Sequence, residues 1–206
     1  MKRHLGLFTF VIVILAISVG LSAAAVTQSK GSLEQSFQKA RKDYLQKDMK
    51  AAADEVRKGA AYLKSEAASA RDKGKEALTA SYQELEKLAG EMEKGTVKTV
   101  KELEMAFARA YNALATNSNV QSMEAWTKKE FRKAGEKLES SVDQLEKGFA
   151  WAGQKAEAGT QKVIDDSKAL SKKMKEGSSR ASAEVGRAMK DLEDEIKTFG
   201  RKISGK

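Results

Sequence analysis

The chain has no cysteine and no proline, and its one histidine is His4. Each absence removes a class of structure or chemistry. Without cysteine there is no disulfide, no thiol nucleophile and no thiol to carry a lipid anchor, so stability has to come from packing. Beyond His4 the chain lacks the commonest general base and the commonest metal ligand. A Ser-His-Asp or Cys-His arrangement is therefore excluded, and so is an ordinary zinc site. Neither a Gly-x-Gly-x-x-Gly nor a P-loop pattern occurs. Carboxylate pairs such as Asp165 with Asp166 or Glu91 with Glu93 remain. Side chains this close along a helix do not face each other, and in a chain that is 33% charged they read as solvated surface. The residues thus predict a protein that is not an enzyme, with no cofactor and no metal.

Strong charge of one sign is also missing. The net charge is +9, and it falls to +7 if Lys2 and Arg3 are removed. Basic residues are interspersed with acids, with no block of five or six that would grip a phosphate backbone, so nucleic acid is not an expected partner. A mild attraction to anionic lipid surfaces remains.

The N-terminus has the one long apolar run. Met1-Lys2-Arg3-His4 precedes Leu5 to Val19, and small residues follow at Ser22-Ala23-Ala24-Ala25. A positive start, a short apolar stretch and an Ala-x-Ala site describe a secretory leader over residues 1–25, cleaved after Ala25. The alternative is an uncleaved anchor, since about 20 apolar residues span a bilayer. Either way the remainder is exported, to the periplasm or outside the cell.

With proline absent and Ala, Lys, Glu and Leu abundant, the body of the chain reads as all-α. Breaks are expected at 93–96, 116–119 and 175–179, with Gly95 and Gly177 as left-handed caps. Ser32 with Gln35 and Ser118 with Gln121 fit capping boxes. Val97, Val100, Leu103, Phe107, Tyr111 and Leu114 form one apolar helical stripe. Val185, Met189, Leu192, Ile196, Phe199 and Ile203 form another. The second stripe can pack inside a bundle, pair in a short coiled coil, or face a partner or a lipid surface. From Phe149 to Met174 the apolar positions are small and sparse: Ala152, Ala156, Gly159, Val163 and Leu170 lie between them. This stretch is expected to be the least stable.

Shifting the chain by 82 residues aligns "ARKDYLQKDMKAAADEVRKGAAYL" with "SMEAWTKKEFRKAGEKLESSVDQL". Tyr44 falls on Trp126, Met49 on Phe131, Leu63 on Leu145 and Gly95 on Gly177. The sequence therefore predicts a tandem duplication, with helical units over 26–119 and 120–206. Each unit would hold a helix, a turn at Lys47-Asp48 or Lys129-Glu130, a second helix and a longer return helix. The acid at the turn suits a helix N-terminus. Tyr44, Met49, Leu63, Trp126, Phe131 and Leu145 are the expected hairpin core. Trp151 lies opposite Ser69 and so has no aromatic counterpart; with Phe149 it is the candidate contact to a partner.

The stretches "QKDMKAAADEVRKGAAYL" and "KKEFRKAGEKLESSVDQL" resemble the helical hairpins of YfdX-like exported bacterial proteins. That resemblance implies a helical periplasmic protein with a stress-related or binding role and no catalytic residues. The tail from Gly148 is similar in composition to late-embryogenesis and apolipoprotein-type chains. Together the residues predict an exported helical bundle that offers helical faces to protein partners or to copies of itself. The alternative is a lipid-surface protein that uses the Val185–Ile203 stripe.

Overall fold

The structure, a computed structural model, describes residues 30–176 and 182–205. The expected leader and the Gly177 cap lie outside the described residues. Seven helices follow one another with short connections: α1 (Lys30–Leu45), α2 (Met49–Ser69), α3 (Asp72–Glu93), α4 (Val100–Thr127), α5 (Phe131–Ala152), α6 (Ala158–Lys175) and α7 (Ser182–Ile203). The described residues form an all-α bundle in which each helix packs on the next. Among them, no helix is long and apolar enough to cross a membrane.

The apolar stripes explain the layering. Leu103, Phe107, Tyr111 and Leu114 are buried along α4, and Val185, Met189, Leu192, Ile196, Phe199 and Ile203 are all buried along α7. Burying each such side chain contributes about 1.5–3 kcal/mol, so turning a stripe inward outweighs the modest helix propensity of its residues. α4 is the central helix: it packs on α1, α3, α5 and α7. Helix ends are closed by neighbours. Lys101 Nζ donates to Ala152 O at 2.7 Å at the end of α5, where Gly153 takes a left-handed cap, and Arg109 donates to Ile203 O at 3.0 Å at the end of α7. Cations belong at these carbonyl ends. On the α1–α2 face, burial pushes the Glu55 carboxyl up. Lys39 and Lys58, each at 2.8 Å, outweigh that and hold it below its ordinary value.

Helix ends recur at the 82-residue offset. Leu45 and Thr127 both end helices, Met49 and Phe131 both begin them, and Glu93 and Lys175 both end them. Lys47 and Lys129 share a left-handed backbone, with φ of 65° and 61°. At the first turn Asp48 caps α2, accepting from Ala51 N at 3.0 Å; at the second, Glu130 makes no such bond.

Three sequence expectations need correction. The break at 116–119 and the unit boundary at 119 fall inside α4, which is continuous from Val100 to Thr127. Two of its polar side chains reach other helices, Asn119 Nδ2 donating to Met189 O and Ser122 Oγ to Ala134 O, while Thr116 Oγ1 donates to Asn112 O within α4. Ser118 therefore lies mid-helix rather than at a cap, and Ser32 likewise lies within α1. In α6 the buried stripe runs through Ile164, Ser167, Leu170, Ser171 and Met174, while Val163 is only partly buried and Gly159 is exposed.

Candidate functional site

The largest concentration of aromatic side chains lies where α1, α4 and α5 meet. Phe37 stacks on Phe107 with ring centroids 3.9 Å apart, and Tyr111 and Trp151 both stand edge-on to Phe37. Trp151 also meets Phe107 edge-on at 5.0 Å. Glu34 of α1 ties the group together, accepting from Tyr111 Oη at 2.5 Å and from Trp151 Nε1 at 3.3 Å. Burial and then the Glu34 carboxylate push the Tyr111 phenol far above its ordinary value. Burial, with Glu66 nearby, raises the Tyr62 phenol to about 12. Both phenols stay protonated at neutral pH and do not act as bases.

A cleft of about 430 Å³ opens beside this cluster, between α1, α2, α4 and α5. Leu33, Tyr62, Tyr111 and Leu114 give it apolar walls, and Asp143, Gln144, Glu146 and Lys147 of α5 line its polar side. Gln144 is 5% exposed, and its Oε1 is buried without a hydrogen-bond partner. Lys147 Nζ lies 5.5 Å over the Tyr111 ring. A second cleft of about 360 Å³ lies across Lys147, between Glu34, Arg41, Glu104 and Trp151. There Arg41 is paired with Glu104 at 2.8 Å. Among the described residues no group of three or more His, Cys, Asp or Glu side chains converges as a metal site would require.

The structure redistributes the residues singled out in the sequence. Trp151 and Phe149 were expected to face a partner, yet they are only 7% and 9% exposed. Trp151 is edge-on in the aromatic cluster and Phe149 packs on Phe199 at 4.1 Å, so both belong to the core. Of the expected hairpin core, Tyr44, Leu63 and Leu145 are buried, while Met49, Trp126 and Phe131 are only partly buried. Tyr44 donates to Val97 O at 3.2 Å, which ties it to the α3–α4 connection, whereas Trp126 does pack across its turn on Phe131 at 4.9 Å. The α7 stripe, read as a possible partner or lipid face, is covered by the bundle.

Glu34, Tyr62, Gln144 and Lys147 were not singled out in the sequence. The available signal was the offset itself: Tyr62 and Gln144 are 82 residues apart, each just before a buried leucine, Leu63 or Leu145. No protein-family model, curated protein or solved structure matches the chain.

Proposed function

We propose that the chain is an exported, non-catalytic helical binding module. The observation that carries this reading is a bundle whose apolar stripes all turn inward, while one open cleft keeps tyrosine walls and a buried amide oxygen without a partner. A scaffold that buries its own apolar faces needs no membrane to fold, and the cleft leaves tyrosine and leucine surface open to a partner. Export follows from the charged start, the apolar run and Ala23-Ala24-Ala25. A protein partner or a second copy would gain most from the large exposed hydrophobics, Leu45 at 57% and Met123 at 40%. A stress-protective role, as the YfdX-like resemblance implies, belongs to the same proposal. So does a tandem duplication, which the paired helix ends support.

The lipid-surface reading gains no support. Lifting α7 onto a membrane would uncover the apolar bundle face that it covers, and α7 interleaves Asp191, Glu193, Asp194 and Glu195 with its bases. The test is far-UV circular dichroism with thermal melting of residues 26–206, with and without anionic vesicles. A strong helix signal and one sharp melt, both unmoved by lipid, are expected. Low helicity that rises when vesicles are added would overturn the reading.

A further inference from the structure

We infer, on the reading that the chain is an exported binding module, that the intact bundle docks end-on to an anionic lipid surface. The docking end is the one where α1 and α3 finish and α2 and α4 begin. Two contacts fix it. Tyr44 Oη donates to Val97 O at 3.2 Å, and the Arg57 guanidinium donates twice to Glu93, at 2.6 and 2.8 Å. They bring residues 39–50 beside residues 93–102.

These two stretches carry eight basic residues against four acidic ones. All four acids are engaged: Asp43 pairs with Lys39 at 3.2 Å, Asp48 caps α2, Arg57 holds Glu93, and Glu102 accepts from Thr99 Oγ1 at 3.0 Å. Lys42, Lys47, Lys50, Lys94 and Lys98 are exposed, and among the described residues no carboxylate pairs with them. Leu45 stands on the same end, 57% exposed. Five flexible ammonium groups without fixed partners call for negative charge spread over an area, not for one anion in a built site. An anionic lipid surface supplies that charge over a plane, and Leu45 can enter its acyl boundary. A single-stranded nucleic acid would use an aromatic platform among the bases, but Tyr44 is buried.

The corresponding turn between α4 and α5 is the contrast. Its backbone is the same, yet Lys133 pairs with Glu130 at 3.0 Å and Arg132 with Glu136 at 3.4 Å, which leaves only Lys128 and Lys129. It also lies at the far end of α4, with Thr127 about 40 Å along the helix from Val100. End-on docking keeps α7 inside the bundle, so helix content should not change. The unfolded chain keeps the same lysines, so the melt should move little.

The experiment is co-sedimentation of residues 26–206 with vesicles of mixed phosphatidylglycerol and phosphatidylcholine, against vesicles of phosphatidylcholine alone. Only the anionic vesicles should bind, and binding should fall away as salt rises from about 0.05 to about 0.5 M and screening tightens. Replacing Lys42, Lys47 and Lys98 together by Gln should weaken binding about a hundredfold, at about fivefold per lysine. Lys128→Gln with Lys129→Gln should leave it nearly unchanged. These side chains are exposed, so both variants should match the parent in circular dichroism. Because the chain has no cysteine, an environment-sensitive dye can be placed on Gln46→Cys, where vesicles should shift it to the blue, and on Thr127→Cys, where they should not. A folded chain that ignores anionic vesicles at low salt would overturn the docking and leave the binding-module reading standing. Binding of poly-glutamate but not of vesicles would overturn the lipid and assign this end to an acidic protein. Equal losses from the two lysine sets, or a dye response at Thr127→Cys, would overturn the end-on placement. A chain that folds only on vesicles would overturn both the docking and the binding-module reading.

Discussion

Gly59 and Gly90 are both helical glycines, and their surroundings give an alanine substitution opposite signs. Helix propensity alone favours alanine by about 0.8–1 kcal/mol at either position. At Gly90 an added Cβ meets nothing within 4 Å, so Gly90→Ala should stabilise by up to about 1 kcal/mol. At Gly59 the Cβ would lie 2.4 Å from Phe37 Cε1. That ring cannot swing aside, because it is fully buried, stacked on Phe107 and flanked by Tyr111 and Trp151. Gly59→Ala should therefore destabilise by about 1–3 kcal/mol, with the overpacking cost exceeding the propensity gain. Urea midpoints of the two variants, moving in opposite directions from the parent, are the check. At this scale the sequence carried part of the answer. Leu63 and Leu145 were legible as core from periodicity, but the fate of Trp151 was not, because nothing local shows that Glu34, 117 residues away, accepts its indole N–H.

At the scale of elements, the two hairpin turns hold lysines where the backbone is left-handed: Lys47 at φ 65° and Lys129 at φ 61°. Both turns close in the same way, with Lys47 N donating to Tyr44 O and Lys129 N to Trp126 O, each at 2.9 Å. Holding a side chain with a Cβ in this region costs roughly 1 kcal/mol or more, partly repaid because glycine loses more entropy on folding. Lys47→Gly and Lys129→Gly should each stabilise by about 0.5–1 kcal/mol, visible as a higher melting temperature with unchanged helix content. The turns themselves were legible, since an acid at a turn suits a helix N-terminus, and Asp48 does cap α2. The stripes of α4 and α7 were legible for the same kind of reason: large apolar residues at helical spacing leave one face to bury. α6 was harder. Val163 and Ile164 are adjacent, and only packing against its neighbours selects Ile164 as the buried one. The segment at 116–119 misled because Asn and Ser favour helix ends when their side chains bond nearby backbone. Here Asn119 bonds Met189 O, on α7, so the chain stays helical.

For the whole molecule, the continuity of α4 decides how the two halves behave. A boundary at 119 would give two units able to melt apart, joined by a loop that tolerates proline. The structure instead runs one helix through that point, packed on α1 and α3 of the first half and on α5 and α7 of the second. α4 also supplies Tyr111 and Leu114 to the cleft, so any ligand there is held by the same element that joins the halves. Asn119→Pro separates the alternatives. In a helix interior proline removes one backbone hydrogen bond and clashes with the preceding turn, costing about 3 kcal/mol or more. It would also remove the buried Asn119 amide that donates to Met189 O. The expected result is a large drop in the urea midpoint of one transition, with circular dichroism and tryptophan fluorescence still coincident, because helices on both sides lose the element they share. Two separate transitions, or a midpoint that does not move, would mean that the halves are independent and that α4 does not couple them.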